Sequence, residues 1–279
     1  MTIIVADTTS GLPLELAARL GIPMIPQFVI FGEDTYRDDT QLTTAGFLEK
    51  LRDSRILPKT AAPPPVLYNP IFEKAVKSGE TVIVVAPTGK MSGTFRSAET
   101  ARQDFPKADI RIIDTQTIAG CLGSLVLSAY DLNQKGKSSA EIERYLRSMI
   151  PRSRTYFVVD TLEYLQKGGR IGAAKALLGT ILQVKPILQL KDGVAAPFEQ
   201  ERTKKRATGR LMEIACEQVA NSPDAHLCVM HIDAVEEAQA VCAELKNRLN
   251  IPNIPIYILP PAIVVHAGPK ALAVGFFAP

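Results

Sequence analysis

The chain has 279 residues, 46% of them hydrophobic, and a formal net charge of +3 at pH 7. This length provides a substantial core for two modest domains and is also compatible with one large domain. So small a charge weighs against a broad nucleic-acid-binding surface, and we expect no nucleic acid as a partner. The four cysteines form no CxxC pair and the three histidines lack ligands at finger-like spacing, so no metal or other cofactor is expected.

The first residues predict a strand, residues 2–6, rather than the basic stretch and apolar run of a signal peptide. The longest apolar windows are interrupted by polar residues or glycine and are too short to span a bilayer. Three of the cysteines lie in apolar patterns, which suits a reducing compartment. We therefore expect a cytoplasmic protein.

The chain is organised around residues 81–98, which read TVIVVAPTGKMSGTFRSA. The first six predict a buried strand, Pro87 and Gly89 break the pattern, and Ser92 is a candidate N-cap of the helix that follows. The unpaired backbone N–H groups at such a helix start suit a phosphate or a carboxylate. The alternative, that Ser92 only caps the helix, stays open at this point. No Walker or G-x-G-x-x-G pattern is present, so a nucleotide site is not favoured.

Strands and helices alternate in the first half, which predicts a three-layer α/β/α domain with a mainly parallel sheet over residues 1–151. Predicted strands are 3–6, 24–31, 81–86 and 110–113, and predicted helices are 12–20, 43–52, 118–134, 139–149 and one that opens at Ser92. Asp7 and Thr8 follow the first strand, at the sheet edge that borders ligands in open α/β folds; alternatively, Thr9 or Ser10 caps the next helix. Residues 32–39 are turn-like. The prolines after Thr60 fix an extended segment, which composition favours as a rigid connector over a support for a site.

The second half begins near residues 151–154 and predicts an α+β domain with a mixed sheet over residues 152–279, because strands there follow one another directly. Lys191-Asp192-Gly193 is typical of a hairpin turn. Residues 173–181 predict an apolar helix, and residues 263–265 a strand that ends at His266. Composition favours Arg170, after two glycines, as a solvated surface charge. The predicted helix 202–220 carries basic residues at its start, against the helix dipole.

Several different short motifs follow one another along nearly the whole chain. They are Asp7-Thr8-Thr9, Lys59-Thr60, Ser92-Gly93-Thr94, Asp114-Thr115, residues 161–170 (TLEYLQKGGR), Lys185-Pro186-Ile187-Leu188, Asp192-Gly193, Arg202 with its basic followers, and His266-Ala267-Gly268-Pro269. Together they resemble the DegV family, fatty-acid-binding proteins that serve a bacterial fatty acid kinase. Any one motif is weak, and their number and order carry the resemblance.

The resemblance implies a two-domain carrier that holds one long-chain fatty acid between its domains. It would present the carboxylate to an ATP-dependent fatty acid kinase for phospholipid synthesis and hold the acyl phosphate, with no catalytic residue of its own. Peripheral contact with a membrane is a further expectation. The matching fatty-acid-binding positions are Thr60, Ser92, Gly93, Thr94, His266 and Arg170, and the matching partner-binding positions are Arg202, Lys204, Lys205 and Arg206.

A departure from the family pattern and two rival functions accompany this hypothesis. The family commonly has Thr-Ser-Gln-Pro where this chain has Thr60-Ala61-Ala62-Pro63, which removes two polar side chains from the site. One rival is a hydrolase or transferase with Ser92 as nucleophile and His266 as base, although no G-x-S-x-G elbow is present. The other is a small-molecule sensor that serves no kinase.

Overall fold

The computed structural model describes residues 2–178, 184–219 and 223–279. Its strands are β1 (Thr2–Asp7), β2 (Met24–Ile25), β3 (Phe28–Phe31), β4 (Asp34–Arg37), β5 (Lys59–Ala61), β6 (Thr81–Ala86), β7 (Ile110–Asp114), β8 (Ser153–Val158), β9 (Lys185–Lys191), β10 (Val194–Glu201), β11 (Cys228–His231), β12 (Ile256–Ile258) and β13 (Leu272–Phe277). Its helices are α1 (Leu14–Leu20), α2 (Thr44–Asp53), α3 (Asn69–Ser78), α4 (Thr94–Arg102), α5 (Ala119–Gln134), α6 (Ser139–Met149), α7 (Glu163–Lys167), α8 (Lys204–Gln218), α9 (Val235–Leu249) and α10 (Pro261–Ala267). Over the described ranges, every helix is too short or too polar to cross a membrane.

The first sheet is parallel and has the strand order β2-β1-β6-β7. Along β6, Val82 and Val84 pack with α3 and α4, whereas Ile83 and Val85 pack with α5 and α6. Strands buried on both faces read as continuous apolar runs, and this explains the TVIVVA pattern. The predicted three-layer arrangement is confirmed.

The second sheet is mixed, with the order β10-β9-β8-β13-β11-β12, and only the β11–β12 pair is parallel among its described pairs. Tyr156, Val158 and Val229 face a core shared with α8 and α9. Their strand neighbours Phe157 and Met230 point to the opposite face, into a core that includes Val29 of β3 and Ala119 of α5. The predicted α+β class of the second half, with its mixed sheet, is confirmed. The predicted domain boundary at residue 151 stays a proposal.

A third, small sheet has the order β4-β3-β5, and it corrects three sequence predictions. Residues 24–31 are not one strand, because Pro26 cannot donate to a ladder and separates β2 in the parallel sheet from β3 in this one. The segment predicted as a turn contains β4. The segment around Thr60 is no mere connector, since Thr60 pairs with Val29 across β5 and β3.

Residues 263–265 lie in helix α10 rather than in the predicted strand, so His266 occupies the last turn of a helix. The β-branched run favoured a strand, but Pro261 at the first helical turn is preorganised for a helix. The helix also buries Val264 and Val265 in the core beneath the small sheet.

Two other predicted helices differ at their ends. Helix α8 begins at Lys204, with Thr203 as N-cap through its side chain, and Ala220 lies outside the described residues. Gly172–Leu177 forms a 3-10 helix, and the remainder of that predicted helix extends into residues that are not described. The β9–β10 hairpin is confirmed, and Asp192 and Gly193 adopt the positive φ angles of 51° and 77° that its turn requires.

The tip of this hairpin joins the second sheet to the first. The Thr88 hydroxyl, just beyond β6, donates to the Gly193 carbonyl at 2.8 Å. A Cβ atom at Gly193 would lie 2.4 Å from Thr88 Oγ1, so glycine is needed for this close approach. The contact fixes the spacing between the two sheets beside the cavity described next.

Candidate ligand-binding site

A cavity lies between the small sheet, the loop before α4, helix α10 and the inner face of the mixed sheet. The space between atoms there is about 960 Å³, part of it open to solvent. Its wall is mostly apolar, with a few polar groups gathered near α4 and β5. The lining residues are Thr9, Gln27, Thr60, Ala62, Met91, Ser92, Gly93, Ile118, Ala119, Thr155, Phe157, Leu165, Arg170, Leu190, Met230, Leu259, Ala262, Ile263, His266, Ala267, Ala271 and Ala273.

Ser92 lines this cavity, but it is not the N-cap of α4. Gly93 occupies the N-cap position, and Ser92 Oγ instead accepts a long hydrogen bond from the Thr94 N–H at 3.3 Å. The Ser92 hydroxyl also lies 2.9 Å from Thr94 Oγ1. A Cβ atom at Gly93 would come within 2.8 Å of the Ala62 side chain, so the glycine lets the loop close onto β5.

Thr60 and His266, 206 residues apart in sequence, also meet in the cavity wall. Thr60 Oγ1 lies 2.9 Å from His266 Nε2, and His266 Nδ1 is buried with no partner among the described residues. Burial, together with the nearby charge of Arg170, lowers the pKa of His266 to about 4, so the ring is neutral at pH 7. A buried orphan N–H is rarer than a buried orphan acceptor, so we assign the proton to Nε2. Thr60 then accepts from His266 and keeps its own hydrogen for a ligand.

Arg170 is not the solvated charge that composition favoured. It is half-buried in the cavity wall, where its guanidinium donates to the Met91 carbonyl at 3.1 Å and to the Gly168 carbonyl at 2.7 Å. Gly168 itself packs against His266, since a Cβ atom there would lie 2.2 Å from Nδ1. The double-glycine motif therefore brings Arg170 and His266 to the same edge of the cavity.

A buried polar network stands behind Ser92, and sequence reasoning named its Asp7, Thr9 and Thr94 but not its Gln27. Thr94 is not among the lining residues, because its hydroxyl faces away from the cavity toward Asp7 at 3.2 Å and Gln27 at 2.8 Å. Asp7 is buried and accepts also from Thr9 at 2.6 Å. Burial raises the pKa of Asp7 to about 6. Asp7 is the last residue of β1, at the sheet edge where the sequence predicted a ligand, whereas nothing in the sequence marked Gln27.

The four basic residues assigned to a partner lie away from the cavity. Arg202 precedes α8, so it does not share a helical face with Arg206 as the predicted spacing had it. Lys204 pairs with Glu237 at 2.9 Å, and Arg206 lies 3.5 Å from Glu201. Lys205 and Arg202 are exposed. The surface is therefore less positive than its sequence indicated.

The hydrolase hypothesis requires a base hydrogen-bonded to Ser92. Within the described residues, His266 Nε2 contacts Thr60 instead, and Ser92 contacts Thr94. The polar groups thus form two separate pairs rather than a nucleophile activated by a histidine. Among the same residues, no cluster of histidine, cysteine and acidic side chains suits a metal ion.

Comparison with known proteins agrees with this architecture. A family model described as "Uncharacterised protein, DegV family" matches residues 1–279, and the chain belongs to that family. Protein DegV of Bacillus subtilis is 34% identical over 274 residues, which are 97% of this chain and 97% of the relative.

Two solved structures share the whole fold. The crystal structure of DegV from Bacillus subtilis, described as a fatty acid binding protein, is 32% identical, with a TM-score of 0.89 and coverage of 100% of this chain and 99% of its own. That of a fatty acid binding DegV family protein from Streptococcus agalactiae is 26% identical, with a TM-score of 0.91 and the same two coverages, 100% and 99%. Both of those proteins are described as fatty acid binding.

Proposed function

We propose that this protein binds one long-chain fatty acid in the cavity and presents its carboxylate to an ATP-dependent fatty acid kinase. The observation that carries the proposal is the division of one cavity into an apolar body and a single polar end. Thr60 and Ser92 supply hydroxyl groups at that end, and the start of α4 supplies the backbone N–H of Gly93. A buried carboxylate is costly unless several such donors satisfy it.

The two parts of the cavity have different energetic roles. Burial of an acyl chain of about sixteen carbons contributes roughly 0.8 kcal/mol per methylene, on the order of 12 kcal/mol before costs. Association and ordering offset several kcal/mol of that sum. The tail therefore supplies affinity, while the polar end places the head group. Neutral His266 holds Thr60 in the orientation that donates to a carboxylate.

The kinase step and the retention of an acyl phosphate extend this proposal. The head group would lie beside Arg170, whose cationic side chain suits a phosphorylated product. Arg202 and Lys205 would face the kinase as exposed positive charges, with Lys204 and Arg206 beside them. Exposed charges of this kind speed encounter with an acidic partner more than they strengthen binding.

Fatty acid binding is tested on the protein purified from cells. Denaturing extraction and mass spectrometry should find a long-chain fatty acid at close to one per chain, or the delipidated protein should take one up. A protein that is empty and also fails to bind added palmitate or oleate would contradict the proposal.

The partner surface is tested by reversing Arg202 and Lys205 to Glu. At low kinase concentration and low salt, acyl phosphate formation should slow severalfold, while fatty acid affinity stays within about twofold, because neither residue lines the cavity. Reversal of Lys135 and Lys137, after α5, is the control for added negative charge. Equal loss in both double variants, or joint loss of binding and phosphorylation, would place the kinase surface elsewhere.

A further inference from the structure

The polar network behind Ser92 contains a chain of three contacts that ends on a buried carboxylate. A ligand oxygen at Ser92 would be the first contact, Ser92 Oγ to Thr94 Oγ1 at 2.9 Å is the second, and Thr94 Oγ1 to Asp7 Oδ2 at 3.2 Å is the third. Each contact needs one hydrogen, and the two hydroxyl groups supply two. One further proton is therefore required whenever a carboxylate anion occupies the end of the chain.

With Asp7 ionised, the hydrogen bonds can be satisfied in one way. Thr94 donates to Asp7, and Ser92 donates to Thr94, whose other lone pair accepts from Gln27 Nε2 at 2.8 Å. Ser92 also accepts from the Thr94 N–H. The serine then offers the cavity only a lone pair, which repels a carboxylate oxygen.

With Asp7 protonated, every hydroxyl in the chain reverses. Asp7 donates to Thr94, Thr94 donates to Ser92, and Ser92 donates into the cavity. Gln27 Nε2 still donates to Asp7 at 2.7 Å and to Thr94, so no other bond is lost. We propose that Asp7 is a positioning residue that sets the direction of the Ser92 hydroxyl through Thr94, so that a fatty acid anion binds together with one proton, taken from solvent by Asp7.

The surroundings of Asp7 favour such a proton. Asp7 is 1% exposed, and no cationic side chain contacts it among the described residues. The titratable groups that face it are Asp38 and the buried phenol of Tyr68, and the charge of Asp7 opposes the ionisation of both. Burial and the neighbouring charges of Asp7 and Asp39 raise the pKa of Asp38 to about 7, and burial raises the pKa of Tyr68. Both shifts show that these surroundings disfavour a negative charge.

The inference rests on the proposed fatty acid site, and calorimetry separates the two. Myristate, below its aggregation concentration, is titrated into delipidated protein at pH 8 in buffers of different ionisation enthalpy. The wild-type protein should take up about one proton per ligand, and its affinity should fall about tenfold from pH 7 to pH 8. No binding heat in any variant would refute the fatty acid site itself, whereas binding without proton uptake would refute only the role of Asp7.

Thr94→Val breaks the chain, because Ser92 is then free to donate without a proton on Asp7. Its proton uptake should fall to near zero, and its affinity should change less than twofold between pH 7 and pH 8. Ser92→Ala, at a half-exposed position, should also lose the uptake, so the test survives if Thr94→Val fails to fold. Thr100→Val, an exposed residue of α4 bonded to the Arg96 carbonyl, is the matched control and should keep the full uptake.

A second readout locates the proton. The carbon-13 resonance of carboxyl-labelled myristate bound at pH 8 should have the shift of an ionised carboxylate in the wild-type protein. A neutral bound acid with one proton taken up, or an uptake retained by Thr94→Val, would overturn the assignment to Asp7.

Discussion

The two walls of the cavity are built by different rules. The wall from the first half of the chain presents hydroxyl and amide groups, and each is held by further hydrogen bonds, as Ser92 is by Thr94 and Thr60 is by His266. The wall from the mixed sheet and α10 presents mainly side chains such as Phe157, Met230 and Ile263, which need only to fill space. Polar placement therefore depends on a specific network, whereas the apolar surface tolerates any packing of similar volume.

The largest effect should follow from making the apolar wall polar. Ile263→Asp places a carboxylate beside the acyl tail at a partly exposed position, where the fold tolerates it. Fatty acid affinity should fall at least about 100-fold, since the charge remains unpaired or takes up a proton at a cost. Titration with a fluorescent fatty acid measures the loss.

Ile263→Leu keeps the volume and polarity of that wall and is the matched control. Its affinity should stay within about threefold of the wild-type value. If Ile263→Asp binds as well as Ile263→Leu, the tail does not lie along α10.

A smaller effect should follow from trimming the polar wall. Ser92→Ala removes one donor to a charged head group, worth about 1.5–3 kcal/mol, so affinity should fall roughly 10- to 150-fold. Ser97→Ala makes the same change farther along α4, at a residue outside the cavity wall, and should bind normally. Equal affinity in the two variants would remove Ser92 from the site.

The smallest effect concerns pH and the carboxylates behind the polar wall. The pKa of Asp38 is raised from 3.8 to about 7 by burial, so its ionisation is less favourable in the folded chain than in the unfolded one. Its contribution to stability is full below about pH 4 and is lost as pH rises toward 7. Asp38→Asn does not titrate, so from pH 5 to pH 8 the wild-type protein should lose about 1 kcal/mol or more relative to the variant.

Urea unfolding at the two pH values measures that difference. Asp34→Asn, an exposed change on the same small sheet, should run parallel to the wild-type protein. His266 works in the opposite direction, because its pKa is lowered to about 4 and its stabilising contribution is lost as pH falls from 6.5 toward 4. A flat difference between Asp38→Asn and the wild-type protein would show that Asp38 stays solvated.

The sequence predicts the layers of this fold better than it predicts the site. Continuous apolar runs identify β6 and β7, and the Asp192-Gly193 pair identifies a hairpin, because each signal is local. The sequence predicted a strand before His266 because β-branched residues precede it, whereas Pro261 at the first turn and the burial of Val264 and Val265 together favour the helix. The Thr60–His266 contact spans 206 residues, so no local pattern encodes it, and the family resemblance alone pointed to it.

The alanines of the cavity wall have an evolutionary consequence. The wall includes Ala62, Ala119, Ala262, Ala267, Ala271 and Ala273. Each can grow by one mutation into valine or another larger residue, which would shorten or bend the space without moving a strand. Under the proposed function, such single substitutions would change which acyl chain fits while leaving the polar head-group network in place.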